Sequence, residues 1–295
     1  MRSPSDSSPF LPVAAALSAM LFIQSGASIA KNLFPVIGTQ ATAILRLALA
    51  TLMMFAFWRP WRFQVARGLW PWIIAYGVAL GTMNSLFYAA LARIPLGIAV
   101  SLEFAGPLGL ALLGSRQTRD VLWVLLAIAG IYLLLPVADH GSLDRTGVLL
   151  ALGAGMSWAM YIVFGKRAGA GGSGPAVVYG SLVGTLTVLP SGAGAAFRGL
   201  QLPGVLVMAL AVALLSSAIP YSLEMMALRR LPARVFGVLM SVEPGIGALM
   251  GFLLLGEHLS VVQMIAMALI ITASAGPVIS HAAIGRGKPE QILTS

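Results

Sequence analysis

The sequence predicts an all-α polytopic membrane protein, ten transmembrane helices arranged as two inverted five-helix repeats. Three observations carry this. Of 295 residues, 59% are hydrophobic and 9% charged, against about 25% charged in soluble domains. The apolar residues gather into runs near the ~20 residues that a spanning helix needs. A six-residue phrase, Ala90-Leu91-Ala92-Arg93-Ile94-Pro95, returns 137 residues later as Ala227-Leu228-Arg229-Arg230-Leu231-Pro232. Each copy opens an apolar run holding a glutamate and a second proline 12 residues on, Pro107 and Pro244.

The first run, Leu11–Ala30, follows a polar start with neither a strongly basic stretch nor a small-residue cleavage site, and reads as a retained helix closed by Lys31. Gln24, Ser28 and Lys31 stand at i, i+4 and i+7, one polar stripe along it. The second run, Gly38–Trp58, carries Arg46. Trp58, Trp61, Trp70 and Trp72 then flank a loop holding Arg59, Arg62 and Arg67, as interfacial aromatics do. The third, Leu69–Leu91, sets Asn84 and Tyr88 on one face. The fourth, Gly97–Leu113, carries Glu103 and Pro107, and the fifth is Val121–Val137.

The second set begins with Gly147–Phe164, where Trp158 and Tyr161 share a face, followed by Pro175–Leu189. The eighth run, Pro203–Met226, places Ser217, Tyr221 and Glu224 in a stripe. The ninth, Val235–Leu255, has Glu243 directly before Pro244, and the tenth is Val261–Ile279. Residues 11–137 form the first repeat, 147–281 the second and 282–295 a cytoplasmic tail. The connections leave no room for a soluble domain. Lipid offers the backbone no hydrogen-bond partner, so such continuous runs must be helices and not the alternating strands of a barrel.

The net charge of +9 is a statement about orientation. With the N-terminus in the cytoplasm, 13 lysines and arginines fall on the inner side against four outside, Lys31, Arg93, Arg145 and Arg198. Both termini are therefore expected in the cytoplasm of a bacterial inner-membrane protein, and the basic excess implies no nucleic-acid partner. Five spans separate Arg93 from Arg230, and an odd number puts the two copies of the phrase on opposite faces. Lys31 and Lys166 (offset 135) and Val121 and Val261 (offset 140) extend the correspondence. Inverted repeats with proline-interrupted helices are the build of a secondary transporter.

Other signals bound the chemistry. Gly77/Gly81, Gly180/Gly184 and Gly247/Gly251 stand one helical turn apart and predict close helix packing. The glycine-rich stretch from Gly169 to Gly174 lacks a preceding strand and reads as a connector, not a dinucleotide site. With no cysteine and three histidines in or beside loops, the chain offers neither a disulfide nor a metal site. No cofactor is implied. No nucleophile pair or His-Glu-x-x-His motif marks an enzyme.

Arg46, Glu103, Glu224 and Glu243 are charges inside spans, each costing about 3 kcal/mol at mid-bilayer on insertion scales. Arg46 and Glu103 fall at comparable depth, on the order of 10 Å below the outer boundary, which permits an ion pair. They either neutralise each other or bind cargo. With Gln24, Asn84 and Tyr88 they suit a small zwitterion, a basic group or amide for its carboxylate and a carboxylate for its ammonium. Lys31 either joins them or snorkels. Trp158, Tyr161, Tyr221 and Glu224 are the inner counterparts, Glu224 beside Arg229 and Arg230 and so open to a solvated salt bridge. Pro107 and Pro244 each free a carbonyl one turn earlier and serve as helix breaks or hinges.

Leu231-Pro232-Ala233-Arg234, Ser241-Val242-Glu243-Pro244 and Leu255-Gly256-Glu257 resemble the signature of the EamA family, of the drug/metabolite transporter superfamily. Gln24 through Lys31, Pro95 through Val100 with Leu102-Glu103-Phe104, and Pro220 through Met225 resemble its amino-acid exporters. The likeness covers nearly the whole chain. It implies two EamA repeats moving small neutral amino acids such as homoserine and threonine outward by alternating access, with protons as a candidate coupling ion. A relative moving drugs or other metabolites would share the architecture. Glu103 stands four before Pro107 and Glu243 one before Pro244, so the repeats depart from each other where the glutamates lie.

Overall fold

The computed structural model describes residues 10–62, 64–113, 120–134, 143–171, 173–228, 230–231 and 233–285, and among these there is helix and no strand. The helices are α1 (Phe10–Ile37), α2 (Thr39–Trp58), α3 (Trp70–Leu91), α4 (Leu96–Leu113), α5 (Asp120–Leu134), α6 (Arg145–Ala168), α7 (Ser173–Val188), α8 (Ala193–Leu200), α9 (Val205–Ala213), α10 (Ile219–Leu228), α11 (Ala233–Met240), α12 (Glu243–Leu255) and α13 (Val261–Gly285). Four segments are long and apolar enough to cross a bilayer, Leu11–Ile37, Thr39–Trp58, Arg67–Leu91 and Arg145–Ala168. A fifth follows if the pair Gly174–Ser191 and Ala193–Gly199, bent by 94°, is one span. The remaining apolar helices are shorter, as Glu243–Leu255 and Val261–Gly276 are. The chain is a multi-pass membrane protein.

Three expected boundaries need correction. The first helix does not stop at Ala30 but runs to Ile37, because Lys31 and Asn32 do not break a helix, and the stop comes at Gly38, whose φ of 83° is open to glycine. Lys31 therefore lies within α1. The eighth run is not uniform, since a π-turn, Leu214–Ala218, separates α9 from α10. The ninth is broken at Ser241 and Val242, between α11 and α12. Pro244 falls in the first turn of α12, where its missing N–H costs nothing, and so it restarts a helix instead of kinking one.

Small residues set the helix spacing. A Cβ on Gly81 would come within 2.5 Å of the Gly184 carbonyl oxygen, and Gly77 meets Gly180 in the same way, so α3 and α7 touch backbone to backbone. A Cβ on Gly97 would come within 2.6 Å of the Ala248 Cα, which brings α4 against α12. Gly106 and Gly155 do the same for α4 and α6. Pro107 cannot donate to the Glu103 carbonyl, and that carbonyl oxygen is the atom a Cβ on Gly155 would press upon, at 2.5 Å. The freed backbone group of α4 is thus turned to the bare backbone of α6, one turn from the Trp158 side chain.

Candidate functional site

The bundle encloses a cavity of about 880 Å³, within the ~300–1,000 Å³ common for small-molecule sites. Gln24 from α1, Arg46 from α2, Asn84 from α3, Glu103 from α4, Trp158 and Tyr161 from α6, Ser216 and Ser217 from the π-turn and Glu243 from α12 all line it. It runs toward the end of the bundle that carries Trp58, Tyr76 and Arg230, where Met53, Met54 and Phe57 add an apolar wall.

Arg46 is held by neutral groups. Its Nη1 donates to the Asn84 Oδ1 at 2.7 Å and to the Tyr88 hydroxyl at 3.5 Å, and its Nη2 donates to the Ser216 carbonyl at 3.5 Å. The Asn84 Nδ2 donates to the Leu80 carbonyl one turn back, which fixes the amide with its oxygen toward Arg46. The guanidinium also stands 5.5 Å from the centre of the Tyr88 ring, within cation–π range. The ion pair that a shared depth permits between Arg46 and Glu103 is not formed. Ion pairs form elsewhere, at Lys31–Glu257 and Arg93–Asp144. Arg46 sits where α3 and the π-turn offer amide, hydroxyl and carbonyl oxygens, all of them neutral acceptors.

Gln24 and Glu243 form the second polar contact. The Gln24 Nε2 donates to the Glu243 Oε1 at 3.0 Å, a bond between helices 219 residues apart, with both side chains buried. The Gln24 Oε1, the Arg46 Nε and the Ser216 hydroxyl are buried without a hydrogen-bond partner among the described residues. Such groups cost free energy where they stand, and a π-turn is a frequent mark of a working site. Gly26 makes room for this turn, because a Cβ there would fall on the Ser216 hydroxyl. Farther toward the mouth, the Tyr76 and Tyr161 rings stack with centres 4.6 Å apart and their hydroxyls 3.2 Å apart. Trp158 meets Phe104 edge to face at 5.0 Å.

Three predicted residues, Tyr88, Ser28 and Lys31, do not line the cavity. Tyr88 is fully buried behind Arg46. Ser28 is buried and donates to the Gln24 carbonyl. Lys31 lies at the opposite end from the mouth, its Nζ 2.5 Å from the Glu257 Oε1 and 3.4 Å from the Ile94 carbonyl oxygen. The Tyr221 and Glu224 side chains lie outside the described residues. Sequence reasoning missed Tyr76, Ser216 and Glu257. The aromatic pair could have been found from the seven-residue and three-residue steps that set Tyr76 above Met83 and Tyr161 above Trp158, whereas no pattern announces a π-turn.

Residues 145–277 match the EamA-like transporter family. The threonine/homoserine exporter RhtA of Escherichia coli (strain K12) is 50% identical over 268 residues, 90% of this chain and 91% of that protein. Its namesake in Salmonella typhimurium (strain SL1344) is 49% identical over the same length. The uncharacterized transporter YwfM of Bacillus subtilis (strain 168) is 28% identical over 230 residues, 74% of this chain and 77% of that one. A solved crystal structure superposes with a TM-score of 0.60 at 21% identity, covering 94% of this chain and 99% of its own, a likeness of fold alone.

Proposed function

The chain belongs to the EamA-like transporter family, and from that premise we propose that it exports threonine and homoserine across the bacterial inner membrane by alternating access. The observation that carries the reading is that one membrane-embedded cavity is lined by an arginine and two carboxylates, Arg46, Glu103 and Glu243. A zwitterion matches that set. Arg46, steadied by Asn84 and Tyr88, takes the carboxylate, while Glu103 and Glu243 take the ammonium. The 50% identity to proteins named for threonine and homoserine supports the cargo.

The ten spans, in two inverted sets of five, are part of the same proposal, with α9 to α10 and α11 to α12 counted as single broken spans. Reciprocal packing supports it. The first helix packs on α10 and α12 as its counterpart α6 packs on α3 and α4, and α2 meets α9 as α7 meets α3. With both termini in the cytoplasm, the mouth at Trp58, Tyr76 and Arg230 faces inward, the side from which an exporter loads. Rocking of the two sets, with the break before Pro244 and the weakened turn at Pro107 within the continuous α4 as hinges, would then present the site outward. Glu103 or Glu243 carries the coupling proton in this scheme, released when the cargo ammonium arrives.

Uptake of labelled homoserine into inside-out vesicles is the direct test. Vesicles holding the protein should accumulate homoserine and threonine when a proton gradient is imposed. Equal accumulation with and without verified protein in the membrane would end the reading.

A further inference from the structure

At the end of the bundle opposite the cavity mouth, three helices meet in one polar knot. Lys31 of α1 bonds Glu257, which follows α12, through the Glu257 Oε1. The other carboxylate oxygen accepts the Leu96 N–H at the start of α4, at 2.8 Å. The same ammonium reaches the Ile94 carbonyl. Glu257 is aimed there by its own turn. Gly256 takes a φ of 65°, the Glu257 N–H donates back to the Gly251 carbonyl at 3.1 Å, and a Cβ on Gly251 would fall on the Glu257 carboxylate. A left-handed glycine and a bare helix face therefore fold the carboxylate back over the bundle end.

The three helices so joined are those that bring Gln24, Glu103 and Glu243 to the cavity. Lys31 lies seven residues beyond Gln24 on α1 and Leu96 seven before Glu103 on α4, about two helical turns or ~10 Å in each case. Between knot and cavity stands Ser28, 1% exposed. The Gln24–Glu243 bond ties α1 to α12 below, as Lys31–Glu257 ties them above. The cavity thus has a mouth at one end and a charged clasp at the other.

Building on the transport reading above, we infer that Lys31 and Glu257 are the exit gate, an ion pair that must part for the cargo to leave on the far side. They act as positioning residues and do not touch the cargo. Cargo bound between Glu103, Glu243 and Arg46 competes for the Gln24–Glu243 bond, loosening α1 from α12 at one level and the clasp at the next. The path past Ser28 then opens.

The chain has no cysteine, so a single introduced thiol is a unique label. In intact cells producing Ser28→Cys, a membrane-impermeant maleimide added outside reads opening of the gate. Adding Lys31→Met, which leaves the Leu96 N–H to Glu257 bond in place, should speed labelling about tenfold, since the two side chains, 24% and 14% exposed, stand between a surface pair and a fully buried one. Lys31→Arg, which keeps the pair, should label as slowly as the parent. No acceleration with Lys31→Met would overturn the gate, as would equal acceleration with Lys31→Arg, which would make the lysine a matter of packing. Ala27→Cys serves as a second reporter should Ser28→Cys fold poorly. Labelling is read whatever the cargo, so vesicles that fail to accumulate homoserine while the clasp still controls labelling would refute the cargo and leave the gate standing.

Discussion

The crossing of α4 and α6 gives a prediction whose size can be worked from the backbone. A Cβ on Gly155 would lie 2.5 Å from the Glu103 carbonyl oxygen, where ordinary contact begins at 3.4 Å. The obstacle is backbone and cannot rotate away, so Gly155→Ala must part the helices by about 0.9 Å, the shortfall between those distances. Overpacking of this kind costs about 1–3 kcal/mol. The functional cost is larger, because Glu103 rides on the displaced turn, and a misplacement of about 1 Å at a working group can cost on the order of 100-fold in rate. Gly153→Ala, two residues away on α6, is the control. Its Cβ would meet only the Leu86 Cδ1 at 3.2 Å, the far end of a flexible side chain, and alanine gains about 1 kcal/mol of helix propensity over glycine. Homoserine export by the two variants in proteoliposomes, with thermal unfolding in detergent beside it, checks the pair. Gly155→Ala should lose most transport and melt earlier, and Gly153→Ala should match the parent or exceed its stability. Equal behaviour of the two would refute the close approach of α6 to the Glu103 carbonyl.

Other outcomes follow from the same contacts. Arg46→Lys keeps a charge but cannot reach the Asn84 amide, the Tyr88 hydroxyl and the Ser216 carbonyl together. Initial-rate transport should show the homoserine KM raised about tenfold or more, the loss of one charge-assisted hydrogen bond. Glu103→Gln removes a proton site while keeping the shape, so uphill export driven by a pH gradient should fall to background while homoserine exchange persists, and wild-type gradient-driven rates would remove Glu103 as the proton carrier. Asp144 caps α6, accepting from Arg93 at 2.8 Å and from the Thr146 N–H at 2.8 Å. The Arg93 hydrogen bond first, and the Thr146 N–H second, hold its carboxyl below the ordinary value of 3.8. A depressed carboxylate pKa stabilises the folded state above the ordinary value and loses that contribution as pH falls through the depressed one. Protection against hydrogen exchange at the start of α6, taken relative to the intrinsic amide rate at each pH, should therefore stay constant from neutral pH down to about that ordinary value and fall only below it, whereas Asp144→Ala should lower protection there at neutral pH.

The helical membrane class was legible because it rests on composition, and the close helix contacts were legible because glycines one turn apart have few other uses. Gly77 with Gly81 and Gly180 with Gly184 are predicted as packing surfaces, and they pack on each other. Helix ends were less legible. Lys31 reads as a terminus because lysines gather at membrane boundaries, yet a helix continues through lysine wherever the charge finds a partner, and Glu257 supplies one from 226 residues away. That partner also sits in a motif, Leu255-Gly256-Glu257, which marks the family without saying what the glutamate holds.

The pairing of buried charges was the least legible part, for a physical reason. Depth along a helix follows from counting residues at 1.5 Å each, and by that count Arg46 and Glu103 stand at one level, which permits a pair without requiring it. Direction around the helix depends on which neighbours pack where, and here Asn84, Tyr88 and a π-turn carbonyl reach Arg46 instead. A closed Arg46–Glu103 pair would satisfy both charges and leave a zwitterion nothing to displace except at the full cost of breaking a buried ion pair, about 3–5 kcal/mol. Neutral oxygens hold the guanidinium more weakly and leave its charge free to act on a carboxylate. Residue counting left pairing and binding both open, and under the transport proposal the neutral cradle is the arrangement a reversible site needs.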